Sequence, residues 1–221
     1  MTTTDEPGTE PGMDTRPIAV LDYGIGNLGS VAKALAAVGA PTRLLTKAED
    51  PSSFSGVVLP GVGAFGACAR ELRRYGFDEV VAQTLTLGIP LLGVCVGLQL
   101  LFEGSEESPE AAGLGVLAGV IRRFECDLPI PQMQWNRLRL TGLGERSPLF
   151  TGLGAQPWMY FVHSYAAPVV AETSAAAEYC GEFTAAIERG NLFATQFHPE
   201  KSSSVGLALL GNFARIASGG E

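Results

Sequence analysis

Charge is scarce in this chain: Asp, Glu, Lys and Arg make up only 17% of its 221 residues, and no long basic run occurs. With 15 basic against 23 acidic residues, a formal net charge of -8, sequence-independent nucleic-acid binding is disfavoured. Half of that surplus (Asp5, Glu6, Glu10 and Asp14) precedes the first basic residue, Arg16, so the rest is only mildly acidic. The four cysteines, Cys68, Cys95, Cys126 and Cys180, show neither a C-x-x-C pair nor zinc-ligand spacing, and no metal site is expected. The first residues carry Gly and Pro where a secretory leader needs an apolar run. Reduced thiols and a cytoplasmic location are therefore expected.

Apolar residues are plentiful, at 46%, enough for a large core. Val80 to Phe102 is free of charge and as one helix would reach roughly 35 Å, the length of a membrane span. Pro90 interrupts its middle, with Gly88, Gly93 and Gln99 around it. Helix end, turn, buried strand and second helix describe it better, and no membrane association is expected.

Residues 1–15 lack periodicity and are expected to form a disordered acidic tail, leaving 16–221 as one domain. Ile18–Leu21, Thr42–Thr46, Gly56–Leu59 and Leu91–Val94 read as short strands. Leu28, Val31, Leu35 and Val38 recur at helical spacing, with Asn27 as a cap and Gly39 as a stop. One helix is expected from Gly66 through about Thr86, and another over Val96–Phe102. This alternation predicts an α/β fold with an open, mostly parallel sheet and helices on both faces. Farther on, Val120–Phe124, Trp135–Leu140, Met159–Val162, Thr184–Glu188 and Leu192–Phe197 are strand-like, with a hairpin turn at Arg189-Gly190-Asn191. A last helix begins in Ser202–Ser204 and buries Val205, Leu209, Phe213 and Ile216.

Two glycine turns, Gly24–Gly29 and Gly61–Gly66, fit G-x-G-x-x-G, the fingerprint of a dinucleotide-binding turn. The ribose-binding acid should end the second strand, but Thr46 and Lys47 stand there. A tight strand-to-helix connection explains both turns equally well.

The informative turn is Gly93-Val94-Cys95-Val96-Gly97, a nucleophile elbow with cysteine in place of serine. Flanking glycines leave room for the sharp turn, a helix N-terminus favours the thiolate, and the Val96 N–H faces a developing oxyanion. Only two histidines exist to serve as base. His198 in Phe197-His198-Pro199-Glu200 is extended before proline, so Glu200, two residues on, can orient it. His163 has no neighbouring carboxylate and reads as structural from its surroundings. Cys95, His198 and Glu200 thus form a candidate nucleophile, base and orienter.

A cysteine elbow followed near the C-terminus by His-x-Glu resembles the class I, triad-type glutamine amidotransferases, whose glutaminase domain is flavodoxin-like. Segments Pro60–Gly63, Gly93–Gln99 and Phe197–Glu200 carry the likeness, over nearly everything after the tail. Asp22–Asn27, Pro60–Phe65, Tyr160–Tyr165 and His198–Ser202 look specifically like the glutaminase subunits of imidazole glycerol phosphate synthases.

The resemblance implies hydrolysis of L-glutamine, with oxyanion donors from Gly61, Val62, Gly63 and Val96. It assigns glutamine contacts to Gln99, His163, Ser164 and Tyr165, and implies no cofactor. It also implies a heterodimer with a (β/α)8-barrel cyclase that uses the ammonia in histidine biosynthesis, with Asn27 and Lys201 facing that partner. The family commonly has His-Met-Gly-Trp-Asn where this chain reads Gln132-Met133-Gln134-Trp135-Asn136. Three alternatives remain open: a glutaminase subunit of another synthase (anthranilate or pyridoxal phosphate), a thiol hydrolase of the α/β-hydrolase type, and a nucleotide-binding module without catalysis.

Overall fold

The computed structural model describes residues 14–220. Of the expected tail over 1–15, residues 1–13 lie outside the described residues. Asp14 is already tied down, its N–H donating to the Ser218 carbonyl at 3.1 Å, so regular contacts start two residues before Arg16.

Strand β1 (Ile18–Leu21) is buried at every position. Helix α1 (Leu28–Ala37) buries Val31, Ala34 and Leu35, and Gly39 leaves it at φ +80. Asn27 caps α1 through its backbone carbonyl, while its side-chain oxygen accepts from the Ser30 hydroxyl at 2.9 Å. Strands β2 (Thr42–Leu45) and β3 (Gly56–Gly61) follow. The single helix expected before Thr86 is two, α2 (Phe65–Arg74) and α3 (Phe77–Thr86), because Gly76 between them sits at φ +70. Next come β4 (Leu91–Cys95) and the short α4 (Val96–Leu100), which accounts for the charge-free stretch as anticipated.

The second half contains β5 (Gly104–Ser105), β6 (Val120–Arg123), β7 (Gln132–Arg137), β8 (Arg139–Leu140), β9 (Trp158–His163) and β10 (Tyr165–Ala166). It continues with β11 (Thr173–Glu178), β12 (Glu182–Arg189), β13 (Leu192–Thr195) and helix α5 (Ser203–Ala217). The hairpin is as expected: Arg189 pairs with Leu192, and Gly190 turns at φ +60. Helix α5 buries Leu209 and Phe213, but Val205 and Ile216 are only half-buried, and Leu210 and Ala217 complete its inner face. Strand β11 has no counterpart in the sequence pattern. Its alanines, helix formers in isolation, are buried in the sheet between β8 and β12, where packing overrides propensity.

Among the described residues the main sheet has eight strands in the order β2-β1-β3-β4-β13-β12-β11-β8. The run β2-β1-β3-β4-β13 is parallel and the remainder antiparallel. Numbering its parallel strands in chain order gives 2-1-3-4-5, the flavodoxin-like winding. A ribbon of β7 and β9 and a small sheet of β10, β6 and β5 lie outside this sheet.

The expectation of four reduced thiols needs correction. Cys126 and Cys180 form a disulfide, with Cα atoms 5.5 Å apart across a sequence separation of 54. Only the tertiary fold brings the exit of β6 to the β11–β12 turn, so spacing in the sequence could not reveal the pair. Cys68 and Cys95 are free and buried. No helix among the described residues is long and apolar enough to cross a membrane.

Candidate active site

In a parallel sheet the carboxyl ends of neighbouring strands open at one edge, and ligands bind there. Three adjacent strands deliver the site. Register pairs Gly61 of β3 with Cys95 of β4, and Thr195 of β13 with Val94, so the chain after β13 emerges beside Cys95.

Cys95 has φ 56 and ψ -110, a left-handed conformation rare for a residue with a Cβ, which costs on the order of 1–3 kcal/mol. The glycines around it explain how the turn closes. A Cβ at Gly97 would lie 2.0 Å from the Leu59 carbonyl oxygen, and one at Gly93 would lie 3.1 Å from the Gly97 backbone. Strand β4, α4 and β3 therefore touch backbone to backbone beneath the sulfur. The elbow is strained and tightly backed.

His198 Nδ1 lies 2.8 Å from Glu200 Oε1, and the ring shares one cavity wall with the Cys95 side chain. Burial pulls the imidazole down, but the neighbouring Cys95 and Glu200 outweigh it and push its pKa up to about 10. The carboxylate only accepts, so Nδ1 carries a proton and Nε2 is left for the sulfur. Glu200 reaches the ring differently from the expected two-residue alternation. Pro199–Lys201 is a 3-10 turn, which curls the carboxylate back under His198.

A cavity of about 510 Å³ opens over Cys95 and His198. Val62, Gly63, Val96, Gln99, His163, Ser164, Tyr165 and Lys201 line it together with Cys95 and His198. Gly61 is not among its lining residues; it sits under the elbow, where a Cβ would lie 2.8 Å from Gly97 N. The Cys68 thiol donates to the Val62 carbonyl at 3.3 Å. The carbonyl and N–H of a trans peptide point opposite ways, so the Gly63 N–H is turned away from Cys68. Lys201 is exposed at the cavity wall, and Asn27 is half-buried in the β1–α1 turn.

Two further residues at the site, one in the cavity wall and one beneath it, were not singled out from the sequence. Glu107 lines the wall and accepts from the Phe65 N–H at the start of α2, 2.7 Å away. Nothing local in Ser105-Glu106-Glu107-Ser108 marks it out. Gln196, fully buried, places Nε2 3.8 Å from the Cys95 sulfur. Its signal was available: it precedes His198 by the same two residues that separate His198 from Glu200.

His163 is buried, and burial lowers its pKa to about 4. Its Nδ1 lies 2.8 Å from the Tyr165 carbonyl, so it donates there, and Nε2 is a buried acceptor without a partner. Opposite it in the β7–β9 register, Gln132 also has both amide atoms buried and unpartnered. In the unfolded chain His163 binds a proton near pH 6.5, whereas in the fold it does so only near 4. Its contribution to stability is thus present above pH 6.5 and lost as pH falls toward 4, by about 3 kcal/mol. Urea unfolding at pH 7 and pH 4.5 should show a steeper loss for the wild type than for His163→Leu; equal losses would refute this placement of the proton.

A nucleophile at a strained turn, a base held by a buried carboxylate and free backbone N–H groups suit acyl transfer at a carbonyl. Among the described residues no group of His, Cys, Asp and Glu could hold a metal ion.

Residues 19–216 match the family described as glutamine amidotransferase class-I. The chain is 48% identical over 209 residues to the imidazole glycerol phosphate synthase subunit HisH of Synechococcus sp. (strain JA-3-3Ab), covering 91% of this chain and 94% of that one. It is 44% identical to the subunit of the same name from Deinococcus radiodurans, covering 94% and 97%. Among solved structures, a glutamine amidotransferase superposes with TM-score 0.70 at 20% identity, covering 91% of this chain and 98% of the other, a likeness of fold alone. With the elbow, the buried trio and this agreement over almost its whole length, the chain belongs to the class I glutamine amidotransferases, among the HisH subunits of imidazole glycerol phosphate synthase.

Proposed function

We propose that this chain hydrolyses the side-chain amide of L-glutamine and passes the ammonia to a (β/α)8-barrel cyclase in histidine biosynthesis. The observation that carries it is the placement of Cys95 and His198 in the wall of one cavity, with the buried Glu200 carboxylate holding the imidazole from behind. Cys95 Sγ attacks the amide carbon, and the Val96 and Gly63 N–H groups receive the oxyanion. His198 gives its Nε2 proton to the leaving nitrogen, ammonia departs, and a γ-glutamyl thioester remains. Water then attacks that thioester as His198 takes its proton. Collapse of the tetrahedral intermediate releases glutamate and restores the sulfur, while Glu200 keeps the ring oriented throughout.

The cavity also suits the amino-acid end of glutamine. Glu107 supplies a carboxylate for the α-ammonium, and the Ser164–Tyr165 segment supplies polar groups for the α-carboxylate. Gln99 lines the same wall, and His163 shapes it as a neutral ring.

An exposed apolar face supports a protein partner. Met133, Trp135 and Trp158 on the β7–β9 ribbon are 66%, 44% and 47% exposed. Asn27 and Lys201 are assigned to that same interface. A cytoplasmic setting belongs to the proposal too, although the Cys126–Cys180 bond is unusual where thiol pools are reducing.

Co-expression with the barrel cyclase tests the whole reading. A stable one-to-one complex should form, glutamate and cyclised product should appear in equal amounts, and the acceptor nucleotide should speed glutamate release at least about tenfold. A complex with, and nitrogen transfer to, an anthranilate or pyridoxal phosphate synthase instead would overturn the choice of partner.

A further inference from the structure

Beneath the cavity, a directed chain of hydrogen bonds ends on the reactive sulfur. The Tyr165 carbonyl can only accept, so the atom of Gln99 that meets it at 3.0 Å must be the amide nitrogen. That same Nε2 lies 3.1 Å from Gln196 and, being a donor, meets the amide oxygen there. The Gln196 amide is thereby fixed in one of its two orientations: Oε1 toward Gln99, Nε2 toward Cys95, 3.8 Å from Sγ. Reversing it would face two donors at one end and two acceptors at the other. Gln99 is 3% exposed and Gln196 not at all, so water does not compete for these groups.

The strand supplies a second support. The Gln196 N–H donates to the Ala185 carbonyl at 2.8 Å, and the His198 N–H donates to the Tyr160 carbonyl at 3.0 Å. Residues 196 and 198 alternate around Phe197 and project to the same side of the chain. The amide N–H that meets the sulfur and the imidazole that serves as base are therefore carried by one backbone segment.

We infer that Gln196 is a positioning residue for the Cys95 thiolate: its Nε2–H donates to the sulfur, and Gln99 holds that amide in the donating orientation. This deepens the proposed function and rests on Cys95 being the nucleophile. A hydrogen bond to a charged acceptor is stronger than one to a neutral group, so the donor favours the thiolate over the thiol. It also steers the sulfur's lone pairs relative to His198. Gln99, which the family resemblance assigns to substrate contact, acquires a second task one step removed from the chemistry.

The test reads the sulfur itself, in the full-length protein without glutamine. Iodoacetamide forms a thioether with Cys95 as iodide leaves, and its rate across pH reports the thiolate; peptide mass distinguishes Cys95 from buried Cys68. In Gln196→Leu the rate at pH 7 should fall about tenfold, with the midpoint of the pH profile moved up by about one unit. Gln196→Glu, which sets a carboxylate beside the sulfur, should move it farther. Gln99→Leu should move it in the same direction by less, and in the Gln99→Leu/Gln196→Leu double variant the effects should not add. Thermal unfolding checks that each variant is folded; if Gln196→Leu is not, Gln99→Leu carries the test. An unchanged pH profile in folded Gln196→Leu, or in folded Gln99→Leu where it stands in, overturns the inference. Failure of the underlying reading looks different: wild-type Cys95 would then react no faster than an ordinary thiol.

Discussion

Cys95→Ala should abolish glutamate release, by about ten-thousand-fold or more, while leaving assembly with the barrel partner intact. Nothing else described at the cavity floor can accept the γ-glutamyl group, and removing a nucleophile from a unit that works together costs about as much as removing the whole unit. His198 and Glu200 remain as a base and its orienter without a sulfur to serve. The substitution is small and buried, so folding and the exposed ribbon face should be untouched. Assay of glutamate in the purified complex, beside gel filtration, separates the two effects. Residual activity within tenfold of wild type would end the assignment. Cys95→Gly adds a second reading of the same residue. At φ 56 glycine removes the cost that any Cβ bears, so this variant should be equally inactive yet more stable than Cys95→Ala by about 1 kcal/mol.

Gly97→Ala should be the most damaging single-methyl change in the elbow. Its Cβ would stand 2.0 Å from the Leu59 carbonyl oxygen, and both parties are backbone, so no side chain can swing away. Relief requires β3 and α4 to part. That shifts Gly63 and Val96, the proposed oxyanion donors, away from Cys95. A loss of about 4 kcal/mol or more in unfolding free energy is expected. In whatever protein folds, hydrolysis should fall at least about a hundredfold, since an ångström of misplacement is enough for that. Denaturant melts and steady-state rates check the two parts separately. A variant of near wild-type stability would show that the close backbone packing described under the elbow is wrong.

These two residues were also the most legible ones. Gly93-Val94-Cys95-Val96-Gly97 announces its geometry because a strand, a strained turn and a helix each leave a local mark, and the structure agrees in detail. The parallel strands were visible for the same reason: a strand buried on both faces is a short apolar run between turn residues. Elsewhere the marks were non-local. The alanines of β11 look helical until β8 and β12 flank them, and Cys126 meets Cys180 only through the folding of everything between. Helix α2 parts from α3 at Gly76, a break the apolar spacing did not show. Glu200 was correctly paired with His198 for an incomplete reason, since a turn and not an extended chain bends it back. Glu107 carries an ordinary side chain in ordinary sequence, and only its position against α2 distinguishes it, whereas Gln196 is marked solely by its two-residue spacing from His198.

The sheet has two rims, and the chemistry occupies one. Gly61, Cys95 and His198 leave from, or just beyond, the carboxyl ends of neighbouring strands, and their spacing is set by ladder hydrogen bonds inside the core. At the opposite rim the chain reverses at Ala40-Pro41, Gly88-Ile89 and Gly190-Asn191, a full strand length from the sulfur. A change confined to that rim reaches the reacting atoms only through the full length of the strands between.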